Sequence, residues 1–477
     1  MLATKTILGA GWTVSARLSG RLIDIVTLLV LARALSPADF GLVAITAPLV
    51  MALDMVLEVP LILALTSLPC VKKAHLDTAF TLGVLRGIVL ALILFAAAWP
   101  IAHLYQDDRL PALLAAQAIA PIARSTVSPA MVRYIRDMSF RQNFLAELGG
   151  RFIAAVAAIV VVFLGGGYWA IVVNNSLSNF ATTVISYILA PYRPAFSLSK
   201  FSEFSSFLGW FSTTQILRAF SWQFDRILLG YNISKSDLGQ YTTASDLAAL
   251  PMQSLIAPAM HPLTAAFARV GDDRARLRIA YLKSTFLTMM IAVPASIGMS
   301  LTSDLVVKLL LGAKWTEAAG YLYWLSFAVA LNVLYQPLGA VALATRRTKF
   351  IFKLSAIETF SKVILLSAGL YFYSLMGVLY AGLAMSLIMF VVTMISARSL
   401  LGATLLSQIG NLWQVATACV AMTVSVLGVR HGLQGGHLGA FVELGITAFS
   451  GAAIYGGTLF LLGVRPKDFL SGFNATD

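Results

Sequence analysis

The chain has 477 residues, of which 59% are hydrophobic and only 12% charged, with a mean hydropathy of +0.84. A soluble protein would carry roughly twice that share of charge, so a water-soluble organisation is excluded and most of the chain has lipid as its solvent. The formal charge of +13 does not mark a nucleic-acid partner, because the basic residues come in small clusters between apolar stretches and not along one amphipathic face. Cys70 and Cys419 lie far apart without metal-ligand spacing, which argues against a disulfide framework or a metal site. The first apolar segment is too long and too charged for a cleaved signal peptide and is expected to stay in the mature protein.

Crossing a bilayer takes about 20 mainly apolar residues. Stretches of that kind predict transmembrane helices at residues 10–33, 40–66, 79–101, 110–130, 145–164, 168–190, 205–230, 239–262, 280–302, 318–343, 351–372, 376–397, 411–429 and 438–462, about fourteen in all. Alternate loops differ in charge. One set holds Lys72 and Lys73; Arg133, Arg136 and Arg141; Arg193 and Lys200; the run from Arg269 to Lys283; the run from Arg346 to Lys353; Arg398; and Arg465 with Lys467. The other set has only Arg33, Arg109, Lys235, Lys308, Lys314 and Arg430. The positive-inside rule puts the first set, and with it both termini, in the cytoplasm, and the chain is expected to be a multi-pass inner-membrane protein.

Sliding the start of the chain along by about 198 residues exposes an internal repeat. Gly11-Trp12 falls on Gly209-Trp210, and the segment from Leu35 to Gly41 falls on Ile233 to Gly239, with Ser, Asp and Gly coinciding in register. Six helices separate the copies. An even number preserves orientation, so the repeat is parallel and relates two lobes by a pseudo-two-fold axis along the membrane normal. The expected fold is therefore all-α: a six-helix lobe over residues 1–200, a second over 201–400, and two additional helices with a cytoplasmic tail over 401–477, the lobes flanking a central cleft.

An ionisable group at the bilayer centre costs at least ~2.5–3.5 kcal/mol, so each one needs a partner, water or a purpose. Arg17, Arg21 and Asp24 share one face of the first helix. Gln215, Arg218, Trp222 and Asp225 form a comparable stripe on the seventh, with Arg226 beside it, in the equivalent helix of the second lobe. Further charges are Asp54 and Glu58 on the second helix, Arg86 on the third, Arg124 on the fourth and Asp246 on the eighth. Glu147/Arg151 and Glu358/Lys362 have the acid-before-base spacing of intrahelical ion pairs and read as structural. The stripes instead predict unneutralised arginines around a hydrated, cationic cavity that suits an anionic guest. Arg17, Arg21, Arg86, Arg124, Arg218 and Arg226 are the expected substrate-binding residues, since guanidinium stays charged in a low dielectric and matches phosphate with a planar fork. Trp12, Trp210 and Trp222 admit two readings, stacking on sugar or anchoring at the membrane interface.

The segment from Leu31 to Leu42, Asp225 followed by Leu238-Gly239-Gln240-Tyr241, Pro251, and the stretch from Pro262 to Arg269 together resemble the Wzx-like polysaccharide exporters, a branch of the multidrug/oligosaccharidyl-lipid/polysaccharide superfamily. The resemblance covers about the first 60% of the chain. It implies two six-helix bundles around a cleft and a flippase that moves an undecaprenyl-pyrophosphate-linked oligosaccharide from the cytoplasmic to the periplasmic leaflet by alternating access. It further implies membrane lipids, a polysaccharide polymerase and export machinery as partners, and no cofactor. No Walker-type loop is present, and Gly165-Gly166-Gly167 lacks the lysine of a phosphate loop, so ATP hydrolysis within the chain is not the driver. Proton coupling through Asp24, Asp225 or Asp246 and passive flipping both fit.

Three other readings compete. A cation-coupled multidrug exporter should favour acids over bases in its cleft. A lipid II flippase would share the cleft chemistry. A membrane polymerase or ligase should carry a large external loop with clustered acids or Arg/His, whereas the external loops near 102–110 and 303–317 are short and the five histidines show no paired spacing. The chain is thus expected not to be an enzyme.

Overall fold

The computed structural model describes residues 2–464 apart from 59, 60, 69, 138, 272, 346 and 434–438; for 2–17, 203–218 and a few isolated positions it describes the backbone alone. All regular structure among these residues is helical. The chain forms two compact units, Met1–Thr242 and Thr243–Asp477. The first contains α1 (Leu2–Ala34), α2 (Pro37–Val56), α3 (Leu61–Ser67), α4 (Lys73–Tyr105), α5 (Leu110–Ser125), α6 (Val132–Arg136), α7 (Arg141–Phe163), α8 (Trp169–Leu189), α9 (Phe201–Asn232) and most of α10 (Lys235–Ala248). The second continues through a π-turn at Met252–Ile256 into α11 (Ala257–Arg269), α12 (Arg274–Leu301), α13 (Ser303–Leu310), α14 (Thr316–Asn332), α15 (Tyr335–Ala344), α16 (Thr348–Leu401), α17 (Leu405–Leu433) and α18 (Ala440–Leu461).

Every predicted apolar segment falls on helix, but several are assembled from pieces. Residues 40–66 are α2 followed by α3, and residues 318–343 are α14 followed by α15. Residues 239–262 run from α10 through the π-turn, entered at Pro251, into α11. Conversely, α16 contains two of the predicted segments. Its helical path breaks at Tyr373 and Ser374, where Ser374 takes φ 53° and ψ −142°. A Cβ on Gly369 would stand 2.3 Å from the Gly377 carbonyl oxygen, and one on Gly377 1.9 Å from that of Gly369. Only two glycines let the halves meet backbone to backbone immediately after so tight a reversal.

Eight described helical stretches, α14 with α15 counting as one, are long and apolar enough to cross a membrane, nine if α5 and the bent segment after it are joined. Their outward faces carry Phe163, Leu164, Phe449 and Leu461, each more than three-quarters exposed. Apolar surface of that extent marks contact with lipid, and the chain is a multi-pass membrane protein.

The repeat has a structural counterpart. Ser36 and Asp39 form a reciprocal capping box at the start of α2, the serine hydroxyl donating to the carboxylate at 2.7 Å. At the start of α10 Ser234 and Asp237 make the same contact at 2.7 Å, and the Asp237 N–H returns to the Ser234 hydroxyl at 3.1 Å. The coinciding Ser and Asp of the two copies are therefore helix caps. The coinciding glycines have a different role, because α2 and α10 cross through them. A Cβ on Gly41 would lie 1.6 Å from the Lys235 carbonyl oxygen, and one on Gly239 would lie 1.9 Å from that of Pro37. Lys235 and Pro37 are themselves equivalent positions, so the contact is self-complementary in the manner of a two-fold interface.

The crossing is flanked by a polar clasp. The nearly buried Asp107 accepts from Arg109 Nε at 2.9 Å and Nη2 at 2.8 Å, and it pairs with Lys235 at the start of α10. The Arg109 guanidinium holds the Asp107 carboxyl well below the usual carboxylate range against the opposing pull of burial, with Lys235 adding to it. Arg109 in turn lies over the Tyr168 ring, 5.7 Å from its centroid.

The crossing yields a comparison of signs. Alanine is favoured over glycine within a helix by about 0.8–1.0 kcal/mol. Gly320 of α14 faces open space, so Gly320→Ala should keep or raise the melting temperature of the purified protein. Gly41→Ala should lower it, since the methyl group must drive α2 from α10. Equal shifts in the two variants would show that the crossing relaxes without cost.

Candidate functional site

Charged side chains in apolar helices are the natural starting point, and in the first unit they find one another. Asp54, in the last turn of α2, receives Arg86 from α4, which binds its carboxylate and also donates to its backbone oxygen at 2.7 Å. Arg86 is 11% exposed and Asp54 15%. Arg124, at the end of α5, reaches the second oxygen of the same carboxylate at 3.3 Å and approaches Glu58 at 3.8 Å. Unlike Arg86, it is 59% exposed. A second pair ties α1 to α7, with Arg151 Nη1 2.5 Å from Asp24 Oδ2. The Arg151 guanidinium lies over Gly20 of α1, where a Cβ would come within 3.3 Å of it.

That pair corrects one expectation. Arg151 bonds to Asp24 across helices, and the contact expected with Glu147 one turn earlier on α7 is not among the ion pairs of the described residues. The absent side chain at Gly20 brings Asp24 within reach, and an interhelical bond neutralises two intramembrane charges while joining two elements.

Around these groups α1, α2, α5, α7 and α8 enclose a cavity of about 850 Å³ within the first unit. Asp24, Asp54, Arg124, Glu147 and Arg151 line it, with Gln117 from α5 and Asn174, Asn175, Ser178, Asn179, Thr182 and Ser186 from α8. α7 and α8 approach closely because Gly150 leaves room: a Cβ there would fall 2.1 Å from the Thr182 hydroxyl. Arg86 and Arg124, two of the arginines expected to bind an anionic guest, share Asp54. A bare guanidinium in a low dielectric is costly, and one carboxylate with four lone-pair sites can serve two. The cavity is polar, and its described charged lining residues are three acids, Asp24, Asp54 and Glu147, and two bases, Arg124 and Arg151.

Of the expected site residues, Asp24 and Arg124 line this cavity, and Arg86 stands behind it as the support of Asp54. Arg21, Asp225, Arg226 and Asp246 are not among the lining residues. Asp225 accepts from the buried Tyr241 hydroxyl at 3.0 Å. The side chains of Arg17 and Arg218, like those of Trp12 and Trp210, lie outside the described residues. The polar face of α8 was missed by a search for charge. Its signal is nonetheless present, as Asn175, Ser178, Asn179, Thr182 and Ser186 recur at helical spacing within the apolar segment 168–190.

Breaking the Asp54 network should expose its logic. Asp54→Asn leaves Arg86 buried without a counter-charge, a loss of about 3–5 kcal/mol for a buried pair, and should lower the melting temperature far more than Arg124→Ala. Adding Arg86→Gln to Asp54→Asn should recover part of the loss. A double variant no more stable than Asp54→Asn alone would show that the pair is not coupled.

Sequence and structure comparisons agree with this architecture. The profile of the polysaccharide biosynthesis protein family matches residues 30–320. The succinoglycan biosynthesis transport protein ExoT of Rhizobium meliloti is 26% identical over 65% of this chain, and the match covers 63% of its own length, just under two thirds. The lipopolysaccharide biosynthesis protein WzxC of Escherichia coli is 22% identical over 86% of this chain and 85% of its own. The teichuronic acid biosynthesis protein TuaB of Bacillus subtilis is 23% identical over 96% and 95%. Among solved structures, the lipid II flippase MurJ superposes with a TM-score of 0.74 at 14% identity, covering 96% of this chain and 98% of MurJ. A multidrug resistance MATE family transporter gives 0.55 at 15% identity, over 81% and 98%. At these identities the structural likeness speaks to fold, while the profile match over more than half of the sequence speaks to family: this chain belongs to the polysaccharide biosynthesis protein family of multi-pass membrane proteins.

Proposed function

We propose that this chain is a flippase for a lipid-linked oligosaccharide, taken as an undecaprenyl-pyrophosphate-linked repeat unit of a surface polysaccharide, and not an enzyme. The observation that carries the reading is the polar cavity enclosed by lipid-facing helices of the first unit. The amides of Asn175 and Asn179 and the hydroxyls of Ser178 and Thr182 offer both donors and acceptors, the chemistry that sugar hydroxyls require. Arg124, exposed and only loosely held at 3.3 and 3.8 Å, can turn a fork toward an anionic group. Charge alone does not separate this reading from a multidrug exporter, because three acids stand beside two bases among the described lining residues of the cavity. Membership of the polysaccharide biosynthesis family favours the glycan. The lipid II alternative has only the fold of MurJ in its support.

The lobes 1–200 and 201–400, with 401–477 appended, rock about the cleft between them, and the polyprenyl tail stays in lipid. Arg17, Arg21, Arg218 and Arg226 serve the pyrophosphate, and Asp24, Asp225 and Asp246 are the candidates for ion coupling. A polymerase and export machinery take the product. The chain crosses the bacterial inner membrane about fourteen times with its basic loops in the cytoplasm. Reporter fusions after residues 75, 137 and 348 should score cytoplasmic, and those after 108 and 314 periplasmic. Periplasmic activity after 137 would overturn the orientation.

Transport itself is tested in vesicles containing the purified chain and a lipid-linked oligosaccharide, with lipid II as the parallel substrate. Loss of a hydrogen bond to a charged group costs about 1.5–3 kcal/mol, so Arg124→Ala should slow flipping roughly ten- to a hundredfold. Asn175→Ala with Asn179→Ala should slow it less, by about tenfold. Undiminished flipping in both variants would remove the cavity from the mechanism, and equal or faster flipping of lipid II would transfer the reading to that substrate.

A further inference from the structure

A second cavity, of about 600 Å³, lies in the second unit and shares no lining residue with the first. Its charged lining residues are Arg274 and Arg347, and no carboxylate stands among its described lining residues. The acid next in sequence, Asp273, is committed elsewhere: it caps α12 by accepting the N–H groups of Ala275 at 2.9 Å and Arg276 at 3.0 Å, and it pairs with the Arg276 side chain at 3.4 Å. Arg274 uses one nitrogen, Nη2, to donate to the Ser399 carbonyl at 3.1 Å at the C-terminal end of α16. That bond orients the guanidinium and leaves its other N–H donors available. Gly402, with φ 72°, turns the chain beside it; a Cβ there would lie 3.9 Å from Arg274 Nη2. The rest of the lining is small or apolar, Leu277, Leu400, Leu401 and Ala344 among it, apart from Thr345, whose hydroxyl donates to the Val341 carbonyl at 2.9 Å.

The position of the cavity narrows the ligand. α12 begins at Arg274, α16 begins at Thr348 and ends at Leu401, and α17 begins at Leu405, so three membrane-crossing helices end around it. Such a height is that of lipid headgroups. Two guanidinium groups with no acid among the described lining residues, at the ends of apolar helices, match the phosphate of a lipid headgroup. We infer that the Arg274/Arg347 pocket binds the phosphate headgroup of an anionic phospholipid, a site separate from the transport cavity and independent of the flippase reading.

The test uses the full chain purified in neutral detergent, with phosphatidylglycerol, phosphatidylcholine and soluble glycerol phosphate as probes and bound lipid counted by native mass spectrometry. Wild type should retain phosphatidylglycerol over phosphatidylcholine, and Arg274→Ala/Arg347→Ala should weaken that retention roughly tenfold. Arg347→Ala alone, at an exposed helix start, should weaken it in part and guards against misfolding of the double variant. Arg278→Ala/Lys353→Ala removes as much charge outside the pocket and should leave retention unchanged. Equal loss in that control would reduce the effect to net charge and overturn the site. Unaltered retention in both Arg347 variants would overturn it too, and displacement of lipid by glycerol phosphate at comparable concentration would show that the pocket takes a free phosphate and not a headgroup.

Discussion

The cost of a charge in a low dielectric organises the first unit. Asp54 is the clearest case: a single carboxylate answers Arg86 and Arg124 and thereby joins α2, α4 and α5. Asp24 and Arg151 do the same for α1 and α7. In water such pairs would contribute little. Inside a bundle whose outer surface is lipid, an unpaired partner is the expensive alternative, so the pairs select which helices stand together. Four of the helices around the polar cavity, α1, α2, α5 and α7, are held by these pairs.

Close approach is the second organising theme. Gly41 with Gly239, Gly150 against Thr182, Gly83 against the Ser125 carbonyl, and Gly369 with Gly377 each remove a side chain where two backbones meet. Lipid tails are as apolar as leucine, so helices in a bilayer gain little from apolar burial alone and depend on tight packing and hydrogen bonds. The reciprocal Gly41/Gly239 contact gives the internal repeat a physical content. The two copies have kept the caps that start α2 and α10 and the gaps through which these helices cross.

The pairing of the cavity's arginines also changes how an anionic guest is to be understood. Arginines bound to aspartates present no free cationic field, so a phosphate must compete with Asp54 or Glu58 for Arg124. The amides and hydroxyls of α8 pay no such penalty. They are neutral, amphoteric and arranged along one helical face, which suits recognition of sugars by many modest contacts.

Much of the fold was legible in the sequence. Apolar run length located the long helical segments, including the two halves of α16, because a bilayer forces apolar runs of a set length into helix; the short α6 and α13 fall in stretches expected to be loops. The repeat was legible through Ser36, Asp39 and Gly41 and their counterparts, since caps and close contacts demand particular residue types. Which charges would meet was not. Glu147 and Arg151 have the spacing of a pair, yet Arg151 crosses to Asp24, because partner choice depends on the distance between helices and local spacing says nothing of that. Nor did the residues disclose that Arg86 and Arg124 would share Asp54. Their sequence separations, 32 and 70 residues, carry no information about contact. The sequence by itself therefore determined the helices, their solvent and the residue types a polar interior would need; only the tertiary structure decided which of those residues neutralise one another and which are left facing the cavity, since that is settled by the packing of whole helices.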